Sequence, residues 1–177
     1  MRRSHSCSKT VVLGVGNTIF SDDGVGVQAV RLLKKDARLP ANVTVLDGGT
    51  LGLELLAYVC DATRVLFLDA VNTGETPGTL SRMTADELLG ISSGSNVHQL
   101  GVVDLIAAMM LVSDVPQEII VLGVQPANTD WGTELSPRIQ AALQPLVDAA
   151  LTELGRWITS PAKTVNADFR LQGQPVV

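Results

Sequence analysis

TVVLGVGNTIFSDDGVGV, residues 10–27, decides the fold. Thr10–Val15 is a short β-branched run and reads as a strand. Gly16-Asn17 interrupts it, and after Asp22-Asp23 a helical pattern begins. That pattern, over Gly24–Ala37, places Val27, Val30, Leu32 and Leu33 at helical spacing. A strand, a polar loop and a helix in this order make the first half of a βαβ unit.

The alternation continues outward. Val43–Leu46 is a second strand. Thr50–Cys60 is a second helix, built on Leu51, Leu55, Leu56 and Val59. Val65–Leu68 is a third strand, apolar without alternation, as a strand covered on both faces should be. Thr73–Gly78 is a turn-rich link to Thr79–Met83, a short piece expected antiparallel at the sheet edge. Thr84–Leu89 reads as a short helix and Ser92–Asn96 as a loop. Leu100–Leu111 is apolar nearly all round and is expected to be a buried helix. Glu118–Val124 is another strand. Ser136–Trp157 is a long amphipathic helix, with Ile139, Leu143, Leu146, Ala150 and Leu154 on one stripe. Pro145 inside it predicts a kink or break. Right-handed crossovers between such strands give an α/β fold with a mainly parallel, doubly wound sheet. The expected organisation is a lead-in at 1–9, one domain at 10–158 and a polar tail at 159–177.

Composition narrows the function. The chain has 177 residues, 46% of them hydrophobic, enough to bury a core in a single domain. Asp plus Glu number 18 against 13 Lys plus Arg, a net charge of −5. With so few aromatics, it has neither the basic footprint nor the stacking surface of a nucleic-acid binder. Two cysteines, Cys7 and Cys60, cannot build a disulfide scaffold or a four-cysteine zinc site. Cys60 is expected to be a small buried hydrophobe. The basic start MRRSHSCSKT is not followed by the long apolar run and small-residue cleavage site of a signal peptide. No apolar segment reaches the roughly 18 residues of a membrane span. The expectation is a cytoplasmic protein with no membrane insertion.

In doubly wound sheets, sites form beyond the carboxyl ends of the strands, so the polar residues after each apolar run matter most. The first loop lacks the third glycine of G-x-G-x-x-G, since position 19 is Ile19, and two carboxylates would repel a pyrophosphate. Asp22 suits the N-cap of the following helix. Asp23 is then either second-turn decoration or a ligand. Asp69 follows Val65–Leu68 and is either a turn former bonding the next backbone N–H or a site acid. Asp47, before Gly48-Gly49-Thr50, has the same placement but sits in a sequence that makes a turn unaided. His98 lies between Asn96 and Gln99, which match a capping box. A first-turn position keeps its ring neutral, as a metal ligand must be, or as a donor to a local carbonyl. Asp104, an acid in an apolar helix, suits a cap contact. Asp23, Asp69 and His98 follow separate elements expected at one rim. As a set they suit a divalent metal such as nickel or zinc, incompletely held. No Gly-x-Ser-x-Gly elbow appears, and Cys60 has no base near it.

Over about residues 10–155 the chain resembles the endopeptidases that mature nickel–iron hydrogenases. The resemblance runs through Val12-Leu13-Gly14-Val15-Gly16-Asn17, Asp22-Asp23-Gly24-Val25-Gly26-Val27 and Leu46-Asp47-Gly48-Gly49-Thr50. It continues through Asp69-Ala70, Pro77-Gly78-Thr79, His98-Gln99-Leu100-Gly101 and Leu122-Gly123-Val124-Gln125-Pro126. It implies a twisted, mostly parallel five-stranded sheet between helices. It also implies an enzyme that removes a C-terminal peptide from the hydrogenase large-subunit precursor after nickel insertion. The ligands carried over are Asp23, Asp69 and His98. The family position at Asp23 takes Glu or Asp, and the Asp here sets the carboxylate back by one methylene. Asp47, Gly48, Gly49 and Thr50 are implied as a substrate-contacting loop. Nickel would arrive with the precursor, no organic cofactor is implied, and a monomer is expected. A non-catalytic nickel-sensing maturation chaperone would use the same three ligands. A nucleotide-binding α/β domain would use the Gly14/Gly16 turn instead.

Overall fold

The computed structural model describes residues 9–94, 101–111 and 116–160. Thr10–Val15 forms β1, with the predicted bounds. It pairs in parallel with β2 (Val43–Gly49) on one side and β3 (Arg64–Ala70) on the other. β5 (Glu118–Val124) extends the parallel sheet from β3. β4 (Leu80–Thr84) pairs antiparallel with β5 at the edge, as expected of that short piece. The five-stranded order is β2-β1-β3-β5-β4.

Both faces of the sheet are covered, which is why its strands do not alternate apolar with polar residues. On one face Val12, Leu66, Leu68, Ile120 and Leu122 pack with α1 (Val25–Leu33) and α5 (Pro137–Thr159). On the other, Val11, Leu13, Val65, Phe67 and Val121 pack with α2 (Leu56–Val59), α3 (Ala85–Gly94) and α4 (Val102–Leu111). The fold is therefore the three-layer α/β arrangement expected from the sequence.

The topology sets the site. The chain leaves β1, crosses through α1 and lands at β2. It then returns past β1 to β3 on the opposite side. Where the winding changes direction, a crevice opens at the carboxyl ends of β1 and β3. Gly26 lets α1 lie against that crevice. A Cβ there would stand 2.1 Å from the Leu68 carbonyl oxygen and 2.5 Å from that of Val15.

Four local expectations are corrected. α4 buries Val102, Leu105, Ile106 and Met109, but Leu111 is 87% exposed. Only the i, i+3, i+4, i+7 stripe of this apolar helix meets the sheet. α5 runs through Pro145 without a break. The carbonyl that Pro145 cannot serve is that of Ala141, and both residues are exposed, so water can satisfy it. Cys60 is exposed, because the short α2 and the residues flanking it turn only Leu55, Val59 and Ala62 inward. Residues 92–94 continue α3 rather than forming a loop. Cys7, residues 95–100 and residues 161–177 lie outside the described residues. Among the described residues, no helix is long and apolar enough to cross a membrane.

Candidate active site

A cavity of about 320 Å³ opens at the crevice, with Asn17, Asp23, Thr50, Leu55, Asp69 and Val102 in its wall. Asp23 comes from a 3-10 turn, Ser21–Gly24, that links β1 to α1. Its Oδ2 accepts the Asn17 N–H at 2.6 Å. Gly16 makes the tight reversal possible. Its φ is +117°, and a Cβ there would meet the Asp23 carbonyl oxygen at 1.9 Å. Asp69 is the penultimate residue of β3, next to β1 in the sheet. Its Oδ1 accepts the Ala70 N–H at 2.8 Å, so the turn-type bond expected of it is present within the pocket wall.

The electrostatics of this pair are unusual. Its surroundings, burial foremost, push the Asp69 carboxyl up to about 8. Burial and the charge on Asp23 both act upward in that value, and the Ala70 N–H opposes them. No Lys, Arg or His stands among the described lining residues. Two carboxylates facing one cavity without a cation repel each other when both are ionised, and an arriving cation would relieve that repulsion. Oxygen donors of this kind suit a divalent ion. Among the described residues no third His, Cys, Asp or Glu joins them. His98 lies outside the described residues. The chain re-enters the pocket wall at Gly101 and Val102, directly after that segment.

The expected loop 47–50 divides. Gly49 and Thr50 line the cavity. Gly48 is buried, where its Cβ would approach Leu55 and the Gly14 carbonyl oxygen. Asp47 instead accepts from Arg31 of α1, at 2.9 Å from Nη2 and 3.2 Å from Nε. Asp104 is exposed in the first turn of α4, outside the cavity wall.

Asp22 is the main correction at the site. It does not cap the helix that follows it. Its side chain is fully buried and accepts four hydrogen bonds from the far end of the chain. The donors are the N–H groups of Ala127 (2.9 Å), Asn128 (2.8 Å) and Ser136 (2.6 Å), and the Ser136 hydroxyl (2.9 Å). This carboxylate ties the Asp23 turn to the loop between β5 and α5. Asn17 and Leu55, also in the cavity wall, were absent from the candidate ligands. Asn17 had a signal, the polar residue directly after the first strand and glycine. Leu55 had none, since its spacing marks it only as core. The first loop is also a poor phosphate cradle, because the Asn17 N–H already serves the Asp23 carboxylate.

Comparison with known proteins agrees with the fold. A family model described as hydrogenase maturation protease matches residues 27–153, a span that includes Asp69 and begins after Asp23. The hydrogenase expression/formation protein HupD of Bradyrhizobium diazoefficiens is 35% identical over 160 residues, covering 89% of this chain and 83% of its own length. The hydrogenase 2 maturation protease of Escherichia coli is 31% identical, covering 82% of this chain and 90% of its own. The solved structure of the hydrogenase maturating endopeptidase HybD from E. coli superposes with a TM-score of 0.76 at 30% identity, covering 84% of this chain and 93% of that one.

Proposed function

The chain belongs to the hydrogenase maturation protease family and is an endopeptidase, and from that premise we propose what it cuts and how it recognises it. Its substrate is a nickel–iron hydrogenase large-subunit precursor, from which it removes the C-terminal peptide after nickel insertion. Asp23, Asp69 and His98 recognise nickel already bound in that precursor. The observation that carries this reading is the convergence of Asp23 and Asp69 in one pocket whose wall, among the described residues, holds no cation.

The nickel is part of the substrate here. Bound beside a scissile amide, it would supply Lewis acidity to the carbonyl or to a water. Three side chains do not fill its coordination sphere, so the remaining positions belong to the precursor. Asp69 keeps its proton below about pH 8 while the pocket is empty and gives it up to a divalent ion. Asp23 is held in register by the Asn17 N–H. Asn17 and Thr50 offer polar side chains at the wall for the peptide backbone. In this reading the protein works as a cytoplasmic monomer and needs no organic cofactor.

The test is to incubate the protein with nickel-loaded and nickel-free precursor and weigh the products. Cleavage of the loaded form alone is expected. Equal cleavage of both overturns nickel recognition. An unchanged mass with tight binding would favour a chaperone over a protease acting on this substrate.

A further inference from the structure

Ile19, Phe20 and Trp131 form an apolar ledge beside the cavity that the mechanism above does not use. Two segments build it, residues 17–22 and the loop between β5 and α5. They are stitched by Ser21 N–H to the Gly132 carbonyl (2.8 Å), Gly132 N–H to the Ile19 carbonyl (3.0 Å) and the Ser21 hydroxyl to the Asp130 carbonyl (3.0 Å). The Trp131 ring packs on Phe20, with centroids 4.7 Å apart and tilted by 45°. Trp131 is nevertheless 77% exposed and Ile19 43%. The chain's other tryptophan, Trp157, is buried. A large aromatic held outward on a fixed backbone is what a binding anchor requires, since little freedom is lost on docking.

The ledge is continuous with the pocket. Ile19 N–H donates to Asn17 Oδ1 at 3.1 Å, and Asn17 lines the cavity. Asp130 and Glu134 flank the ledge, both exposed, and neither is in an ion pair among the described residues. An apolar centre with an acidic border complements a polypeptide segment that offers an apolar side chain flanked by Lys or Arg.

We propose that this ledge is the docking surface for the precursor polypeptide next to the bond that is cut. The proposal rests on the reading of the neighbouring pocket as the cleavage site.

Cleavage kinetics on nickel-loaded precursor decide it. Trp131→Ala is expected to raise KM about tenfold while kcat falls less than about twofold, and Trp131→Phe to recover most of the loss. Asp130→Asn with Glu134→Gln should raise KM about threefold in dilute buffer, and the difference should vanish near 0.5 M salt, at roughly a 4 Å screening length. Ile158→Ser, an exposed apolar residue near the end of α5, should behave as wild type. Should Trp131→Ala misfold by circular dichroism, Ile19→Ser carries the same expectation. An unchanged KM in folded Trp131→Ala overturns the proposal. So does a dimer, seen by sedimentation, that Trp131→Ala dissolves without altering KM. If the wild-type protein leaves the precursor uncut, the cleavage reading fails, and tryptophan emission still judges the ledge. A blue shift on titrating precursor supports it, and an unmoved spectrum overturns it.

Discussion

The two ends of the sheet treat charge in opposite ways. At the amino ends, Arg64 of β3 stands opposite Glu118 of β5 in the ladder. Arg64 is buried, donates to the carbonyls of Trp157 and Ser160, and lies 5.8 Å over the Trp157 ring. Arg156 joins Glu118 to Glu153, and Arg82 meets Glu153 at 3.0 Å. At the carboxyl ends, Asp23 and Asp69 share a cavity with no basic residue in its wall among the described residues. The contrast shows in two carboxyls. Burial tends to raise Glu153, yet Arg82 and Arg156 hold it below its ordinary range. Burial and the Asp23 charge raise Asp69, and among the described residues one N–H opposes them. One end uses charge to close the fold, and the other keeps charge available for a visitor.

The largest effect should separate the two ends by function. Asp23→Asn and Asp69→Asn should each lower cleavage of nickel-loaded precursor by at least about a hundredfold with the fold intact, because each removes an anionic donor rather than a packing contact. Full activity in either, read by product mass, would remove that residue from the site. Arg64→Ala should do the reverse. It removes the donor from the buried Trp157 carbonyl and from the part-buried Ser160 carbonyl and should cost about 3 kcal/mol in urea denaturation, while whatever remains folded still cleaves.

The next test concerns Asp69 alone. Its folded carboxyl titrates near 8 against an ordinary value of about 3.8, so the native state holds the proton more tightly than the unfolded chain. Its contribution to stability is therefore complete below about 3.8 and is lost as pH rises through about 8. Asn imitates the protonated form and loses nothing. In chelator, the stability gap in favour of Asp69→Asn should widen by up to about 1.4 kcal/mol per pH unit across that window. Parallel pH profiles would show that the carboxylate is not penalised. The smallest effect belongs to the rim. Arg31→Ala frees the half-exposed Asp47 and should change stability by less than about 0.5 kcal/mol in thermal melts.

The frame of the molecule was legible because its signals are local. β1 and β5 have the predicted bounds, since an apolar β-branched run between polar breaks specifies a strand without outside help. Asp23 and Asp69 were legible as rim residues because topology alone puts strand ends together. Asp22 was not, because a capping pattern considers the next few residues and its true donors lie in another loop. The exposed side of α4 and the outward turn of Cys60 were hidden for a related reason. Apolar composition reports what a helix can bury, whereas the sheet decides which stripe it does bury. Asp47 was drawn away by Arg31, a partner on the preceding helix that no turn motif encodes.

The Asp22 tether also fixes an order of assembly. Its donors are 105 to 114 residues downstream. During synthesis the Asp22-Asp23 turn is made well before the groups that satisfy it, which arrive only with the loop between β5 and α5. Closing so distant a contact comes late, because the chain entropy must be overcome before the contact returns anything. A nascent or truncated chain ending before Ala127 thus has its acidic turn without the clamp that sets it. Proteolytic competence is acquired at the end of folding, so an incomplete copy has no finished site to offer the precursor.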